Sequence, residues 1–310
     1  MAFMKHFLEK TGTVAVDGGK INYRYYLPIT PSFVNRIPLI TVHGGPRASG
    51  MTWYDSIYPL ADERPVLFYD QLGSYYSPAD ITEDQMKLDR FADELKHILA
   101  EIGASKAYLL GQSWGSAVAT QFTLEHPDKV AGLILSGPHL STPRWVADCN
   151  RLLDQLPADI QKIIKDCETN GTTNSDEYNA ADDFFSKRHF IRITPPPPNQ
   201  KFHKDHNRFN SIIYNAMWGP SEFTCTGLLH DMDLFPRLHE IKIPVLLICG
   251  EYDTSTPETV RDAASQISSA HVEVIPNSGH LSYVDNQDLY INLVNTYLQK
   301  QDATTPTKDT

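Results

Sequence analysis

The sequence predicts a doubly wound α/β protein, in which helices cover both faces of a mostly parallel sheet. Short continuous apolar runs, such as PLITVH over 38–43 and PVLLIC over 244–249, are typical of strands buried on both faces. Longer amphipathic segments lie between such runs, and in 88–102 the apolar residues recur at helical spacing. Strands that alternate with helices in this way favour a parallel sheet over a sandwich or a helical bundle.

Seven strands and three helices follow from this pattern, in chain order. The run INYRYYL at 21–27 alternates as a strand does, and the later runs are continuous, apolar and short. The predicted strands are 21–27, 38–43, 65–69, 108–110, 133–136, 244–249 and 272–275. The predicted helices are 88–102, the small-residue segment 116–125, which His126-Pro127 ends, and a closing helix at 289–299.

The alternation of predicted strands and helices is interrupted between about 141 and 238, where helical patterns, polar stretches and the prolines at 195–198 occur. A run of prolines fits neither a helix interior nor a central strand, and it predicts a surface connector. We therefore expect a sheet core from 1–140 and 239–300, a mostly helical cap inserted at 141–238, and a flexible tail at 301–310.

Composition narrows the classes of partner. The chain has 310 residues, of which 41% are hydrophobic and 21% are charged, as in an ordinary globular protein. Lys and Arg number 27 against 38 Asp and Glu, which gives a formal net charge of −11. This balance argues against a general nucleic-acid binder and against a partner of anionic membranes.

The cysteines at 149, 167, 225 and 249 are far apart and show no metal-ligand spacing. The first residues lack the apolar run of a signal peptide, and no apolar stretch reaches 18 residues. From these patterns we expect a cytoplasmic protein without a metal.

The motif with the clearest chemical meaning is Gly111-Gln112-Ser113-Trp114-Gly115, a G-x-S-x-G sequence. It directly follows a predicted strand and directly precedes a predicted helix, the context in which such a turn exposes a serine hydroxyl above the sheet. The flanking glycines make the sharp turn sterically possible. Ser113 is therefore the predicted nucleophile.

A nucleophilic serine needs a base, and the base needs an acid that orients it. For this turn the expected chain order is Ser, then Asp or Glu, then His. Asp253 follows the strand at 244–249, and His280 follows the strand at 272–275. Since ligands of open α/β sheets bind where parallel strands end, we expect both side chains at the same edge as Ser113.

A glycine pair follows another predicted strand, in His43-Gly44-Gly45-Pro46. Acyl transfer needs backbone N–H groups directed at the developing oxyanion. One N–H is expected from Trp114, the residue after the nucleophile, and a second from a glycine-rich loop after an earlier strand. We assign the second donor to Gly45.

Together these motifs resemble the proline iminopeptidase family of α/β-hydrolase-fold serine peptidases. The resemblance extends over most of the chain and is carried, in order, by HGGP at 43–46, FYDQLG at 68–73, GQSWG at 111–115, WGPSEF at 218–223, GEYD at 250–253 and SGH at 278–280. It implies an α/β-hydrolase fold with Ser113, His280 and Asp253 as the catalytic triad. It also implies that Glu222 and Glu251 bind the free α-ammonium group of the substrate.

Two loops depart from the family pattern. Arg47 stands where the family usually has a glycine after HGGP, and the segment Ser74-Tyr75-Tyr76-Ser77 is bulkier than its usual counterpart. Both loops are expected to border the site, so they leave substrate size and the proline preference open.

The leading hypothesis is a serine aminopeptidase that releases an N-terminal residue, preferentially proline, through an acyl-enzyme. Its partners would be short peptides or amino-acid amides with a free N-terminus, and it needs no cofactor. An amino-acid amide or ester hydrolase and a non-catalytic binder of small molecules remain alternatives, and the oligomeric state is open.

Overall fold

An eight-stranded sheet forms the centre of the part of the chain that the computed structural model describes, which is residues 7–46, 48–193 and 211–304. In chain order its strands are β1 (Phe7–Val16), β2 (Gly19–Pro28), β3 (Leu39–Val42), β4 (Val66–Tyr69), β5 (Ala107–Gln112), β6 (Val130–Ser136), β7 (Val245–Gly250) and β8 (Ala270–Ile275). Their spatial order is β1-β2-β4-β3-β5-β6-β7-β8. Pairings of β2 with β1 and β4 are antiparallel, and the others are parallel, so the predicted mostly parallel sheet is confirmed.

Helices lie between and around these strands. The described α-helices are α1 (Pro31–Val34), α2 (Gly50–Ile57), α3 (Leu88–Glu101), α4 (Trp114–Glu125), α5 (Thr142–Leu153), α6 (Ala158–Asn170), α7 (Asp176–His189), α8 (Ser211–Met217), α9 (Pro257–Ser265), α10 (Ser282–Asp285) and α11 (Gln287–Thr304). Single 3₁₀ turns occur at Tyr58–Asp62, Glu83–Gln85, Pro127–Lys129 and Phe235–Glu240. None of the helices in these described ranges is long and apolar enough to span a membrane.

The two faces of the sheet carry two separate hydrophobic cores, because successive side chains of a strand point to opposite faces. In β4, Leu67 packs into the core on the side of α3, α4 and α9, whereas Phe68 packs into the core on the side of α2, α10 and α11. The inner strands β3 to β7 are almost wholly buried. This explains why their sequences read as continuous apolar runs.

One strand has no counterpart among the predicted ones. β1 is a ten-residue strand whose residues are mostly exposed, and it pairs along its whole length with β2 at the edge of the sheet. An exposed edge strand needs little apolar patterning, because its backbone pairing stabilises it. The sequence FLEKTGTVAV therefore carries a weak strand signal.

Helices α5 to α8 lie between β6 and β7, and we propose that they form the cap predicted over 141–238. Their apolar side chains make a third core of their own, around Trp145, Phe185 and Phe223. The segment begins and ends side by side, since Thr142 N donates to Met232 O at 2.8 Å and Leu234 N donates to Leu140 O at 2.8 Å. The proline run at 195–198 lies outside the described residues, as does Arg47.

The end of the chain differs from the predicted flexible tail over its first residues, because α11 continues to Thr304. Arg64 is only 1% exposed, and its guanidinium donates to Asp302 Oδ2 at 2.8 Å. The hydroxyl of Tyr108 donates to Asp302 Oδ1 at 3.0 Å. A buried cation that needs this carboxylate holds the last turn of α11 against the sheet core.

Replacing Asp302 should therefore destabilise the fold. We expect Asp302→Ala to lower the free energy of unfolding by about 3 kcal/mol, because it leaves the buried Arg64 cation without its partner. Urea unfolding followed by circular dichroism measures the change, with Thr296→Ala, an exposed position of the same helix, as the control. Equal stabilities for the two variants would contradict this role of Asp302.

Candidate active site

The strand–helix turn at Ser113 has a strained backbone. Ser113 lies between β5 and α4 with φ 52° and ψ −122°, a combination that side-chain-bearing residues rarely adopt. A Cβ at Gly111 would overlap the carbonyl of Gly115, and one at Gly115 would overlap the carbonyl of Val42 in β3. Both glycines are thus required by close backbone contacts, as the motif predicts.

His280 and Asp253 form a buried pair beside this turn. His280 Nδ1–H donates to Asp253 Oδ1 at 2.8 Å, and the two residues are 3% and 1% exposed. The same oxygen accepts from Ser255 N at 2.8 Å, which orients the carboxylate. Because its Nδ1–H is donated to Asp253, His280 carries no proton on Nε2. It presents this nitrogen as the proton acceptor toward the cavity.

Ser113 and His280 line the same cavity, of about 250 Å³, at the carboxyl edge of the parallel strands. Within the described ranges no hydrogen bond joins Ser113 Oγ to His280. Instead, the side-chain amide of Gln112 donates from Nε2 to His280 Nε2 at 3.1 Å. Gln112 also accounts for the presence of glycine at position 44, because a Cβ on Gly44 would overlap Gln112 Oε1. No role was predicted for Gln112, whose only sequence signal is its position next to Ser113.

The two residues predicted to stabilise the oxyanion, Gly45 and Trp114, both line this cavity. Gly45 has φ 70°, which favours glycine. Trp114 is the first residue of α4, so its backbone N–H has no acceptor within the helix. The structure thus brings the predicted nucleophile, base, orienting acid and oxyanion donors to one edge of the sheet.

The two residues predicted to bind the α-ammonium group, Glu222 and Glu251, lie in different places. Glu222 lines the cavity, where its carboxylate accepts a hydrogen bond from the hydroxyl of Tyr214. Glu251 does not line it. Its side chain is exposed and accepts from Asn277 N at 2.9 Å.

This placement of Glu251 corrects the expectation, and its cause is a turn. Asp253 N donates to Gly250 O at 3.3 Å, so the chain reverses directly after β7. Glu251 stands at the outer corner of the turn, while Asp253 points inward to His280. Two residues of separation in a turn do not keep two side chains on the same side. Tyr75 and Tyr76, expected to border the site, are also absent from the described lining.

Aromatic side chains from the segment between β6 and β7 form the opposite wall. Trp145 and Phe190 each pack edge-on against His280, with ring centroids 5.2 Å apart in both pairs. The backbone of the segment also holds the base, since His280 N donates to His189 O at 2.7 Å. The segment that forms this wall therefore also holds the backbone of His280.

Two further groups near the site were not predicted. A Cβ at Gly137, which has φ 50°, would lie 2.7 Å from His280 Nδ1, so only glycine fits behind the base. His139 lies in the cavity wall, hydrogen-bonded to Thr142 Oγ1 at 2.9 Å and packed edge-on against Trp145 and Trp218. Both follow β6 within three residues, at the edge where ligands bind, and this position was their only sequence signal.

Burial and the nearby His280 lower the pKa of His139 to about 3, so its imidazole is neutral near pH 7. Burial and the charge of Glu222 raise the pKa of Asp182, on α7, to about 6. Burial, followed by the charge of Glu222, also raises the pKa of the Cys149 thiol. The charge of the Glu222 carboxylate thus contributes to the raised pKa of two groups in the segment between β6 and β7.

Comparison with known proteins identifies the family. The model of the alpha/beta hydrolase fold matches residues 37–287. The proline iminopeptidase of Heyndrickxia coagulans is 36% identical over 287 residues, which cover 93% of this chain and 98% of that protein. The chain belongs to the proline iminopeptidase family. The enzyme of that name from Lactobacillus delbrueckii subsp. bulgaricus is 32% identical, over 91% of this chain and 96% of its own.

Solved structures agree with this membership. The crystal structure of a proline iminopeptidase from Mycobacterium smegmatis superposes with a TM-score of 0.85 at 27% identity, covering 95% of this chain and 99% of that one. The crystal structure of VinJ gives 0.86 at 28% identity, with 94% and 99% covered. The protein is accordingly a serine hydrolase of the α/β-hydrolase fold.

The lowered pKa of His139 predicts a pH dependence of stability. The unfolded chain takes up a proton at this histidine below about pH 6.5, whereas the folded protein does not. The free energy of unfolding should therefore fall as the pH decreases from 6.5 to 4, with a contribution from His139 of up to about 1.4 kcal/mol per pH unit. Urea unfolding of the wild type and His139→Phe across this range should show a smaller decrease for the variant; parallel curves would refute the prediction.

The contact between Gln112 and His280 predicts that the glutamine slows activation of the serine. In Gln112→Met the amide no longer competes with Ser113 Oγ–H for the lone pair of His280 Nε2. One hydrogen bond of about 1 kcal/mol corresponds to an increase of roughly fivefold in the rate of labelling by a fluorophosphonate. Intact-protein mass spectrometry measures the rate, with Ser113→Ala as the unlabelled control. Slower labelling in Gln112→Met would mean that the amide assists the reaction.

Proposed function

We propose that the protein is an aminopeptidase that releases an N-terminal residue, preferentially proline, from short peptides. The observation that carries the proposal is the position of Glu222, the one carboxylate among the described residues that line the cavity with Ser113 and His280. A carboxylate inside a largely apolar cavity suits a substrate cation, because the pairing offsets the desolvation of both charges. In a peptide that cation is the α-ammonium group.

The size and lining of the cavity support a small N-terminal residue. Its volume of about 250 Å³ lies below the roughly 300–1,000 Å³ of typical drug-sized sites. Trp145, Phe190 and Trp218 contribute apolar surface to it, which suits the pyrrolidine ring of proline. Tyr214 holds the carboxylate of Glu222 on the same wall. The ring and the charged nitrogen of an N-terminal proline thus have separate partners.

The proposed reaction begins when Ser113 Oγ attacks the first carbonyl carbon of the peptide and transfers its proton to His280 Nε2. Asp253 stabilises the imidazolium and keeps the ring oriented. The oxyanion accepts hydrogen bonds from the N–H groups of Gly45 and Trp114. His280 then protonates the leaving amine, and water, activated by the same histidine, hydrolyses the acyl-enzyme.

In this sequence of steps the amide of Gln112 leaves His280 Nε2 before the serine can use it. The distance of 3.1 Å between the two nitrogens is that of an ordinary neutral hydrogen bond, which a substrate can displace at small cost.

The four free cysteines, Cys149, Cys167, Cys225 and Cys249, support a location in the reducing cytoplasm.

The test is turnover of Pro-, Ala- and Leu-aminocoumarin beside their N-acetylated forms. We expect rapid release from Pro-aminocoumarin, loss of release on acetylation, and no release in Ser113→Ala. Glu222→Gln should lower kcat/KM for the free-amine substrate by about 10- to 100-fold, the value of a hydrogen bond to a charged group. Glu251→Gln, a glutamate outside the cavity, is the matched control and should stay within about twofold of the wild type.

Equal rates on free and acetylated substrates would contradict the ammonium site and leave a general esterase or amidase. Failure to turn over any of these substrates, with Ser113 still labelled by a fluorophosphonate, would reject the aminopeptidase but keep the activated serine. The absence of both would favour a binding protein.

A further inference from the structure

Gln71, in the loop after β4, connects the two segments that carry the oxyanion donors. It is 1% exposed, and its side chain bonds to His43 at the start of the HGGP loop and to Trp114 at the start of α4. We propose that Gln71 is a positioning residue for the oxyanion hole. The inference rests on the proposed function only in that Gly45 and Trp114 act as the donors.

On the side of the HGGP loop, Gln71 makes two hydrogen bonds with His43. Its backbone N–H donates to His43 Nε2 at 3.0 Å, and its side-chain Nε2 donates to His43 O at 2.9 Å. Since His43 Nε2 is an acceptor, the ring proton is on Nδ1, which donates to Gly44 O at 2.9 Å. Burial lowers the pKa of His43, which keeps this neutral form. The peptide between Gly44 and Gly45 is therefore held through His43.

On the side of the nucleophile, the indole Nε1–H of Trp114 donates to Gln71 Oε1 at 2.9 Å. The backbone N–H of the same tryptophan is the second proposed donor to the oxyanion. The carboxamide of Gln71 thus uses its nitrogen for one half of the hole and its oxygen for the other. This single planar group therefore links the two segments that carry the N–H groups, in addition to the packing of β3 against α4.

Neighbours on both sides of Gln71 hold it in place. Asp70 Oδ1 accepts from Ser49 Oγ at 2.7 Å, which ties the far end of the HGGP loop to the same strand end. Leu72 N donates to the buried Glu94 carboxylate at 3.1 Å. Stabilisation of an oxyanion requires donors that are oriented before the reaction. A residue fixed by three hydrogen bonds, two of them to its side chain, meets this requirement.

The consequence is specific to the transition state. If Gln71 only maintains the fold, its loss affects stability and all ligands alike. If it positions the oxyanion donors, its loss lowers kcat and leaves ground-state binding unchanged, because only the transition state carries the full charge on oxygen.

The experiment compares Gln71→Met with Gln121→Met, which removes another buried glutamine whose side chain makes two hydrogen bonds, to Asp89 and Glu125. With Pro-aminocoumarin we expect Gln71→Met to lower kcat by about 10- to 100-fold, somewhat less than deletion of an oxyanion donor, with KM changed less than twofold. Gln121→Met should retain the wild-type kcat. Thermal unfolding establishes that both variants are folded.

Inhibition supplies a second readout. L-Prolinal forms a hemiacetal oxyanion when Ser113 Oγ adds to its carbonyl carbon and the hydroxyl proton passes to His280 Nε2, so that the former carbonyl oxygen, now negatively charged, occupies the oxyanion hole. Its inhibition constant should rise in Gln71→Met by about the factor by which kcat/KM falls. The inhibition constant of free proline should change less than twofold. Equal increases for both ligands would overturn the proposal.

A double-mutant cycle with Trp114→Phe tests the shared contact, and Trp114→Phe by itself keeps the proposal testable if Gln71→Met does not fold. Trp114→Phe alone should lower kcat, and the double variant should lose less than the product of the two single effects. The proposal would be overturned if the effects of the two substitutions on kcat multiply, or if either folded single variant keeps the wild-type kcat. If the wild type cleaves p-nitrophenyl acetate through Ser113 but not Pro-aminocoumarin, the proposed function fails, and the same comparisons on the ester still test Gln71.

Discussion

The close contact between β3 and the start of α4 is the constraint on which the site depends. Gly115 packs against the carbonyl of Val42 without room for a Cβ, and this contact lets the chain turn from β5 into α4 within one residue. Ser113 takes up the strain with a positive φ. The same contact brings the HGGP loop, which follows β3, beside the first N–H of α4. The positions of the predicted nucleophile and of the predicted oxyanion donors are therefore consequences of one packing arrangement.

The segment between β6 and β7 does more than line the cavity. Its backbone at His189 and Phe190 accepts hydrogen bonds from His280 and Leu281, at 2.7 and 2.9 Å. A Cβ at Gly279 would lie 2.6 Å from the carbonyl oxygen of His189, so the two loops meet closely. The element that supplies the substrate wall also supports the catalytic base. A change in the position of this segment would alter binding and proton transfer together.

The electrostatics of the site come from burial more than from many charges. His43 and His139 stay neutral because burial disfavours their protonated forms. Among the described lining residues this leaves Glu222 as the carboxylate of the cavity, and burial together with the charge of Glu222 raises the pKa of Asp182 to about 6. We propose that this carboxylate, the one among the described residues that line the aromatic cavity, selects a small cation, since water competes poorly with the ligand there.

By itself, the sequence determined the α/β architecture and predicted the residues of the triad, because buried parallel strands and the turn at Ser113 impose local patterns on their own residues. It did not determine β1, an edge strand stabilised by pairing, or the ordered end of α11, which Arg64 holds from a distant part of the chain. Tertiary structure alone decided that Glu222 faces the cavity while Glu251 turns away. It also decided that Gln71, His139 and Gly137 join the site. Gln71 and Gly137 meet their partners, which are His43 and Trp114 for the glutamine and His280 for the glycine, across large sequence separations, and local patterns do not encode such contacts.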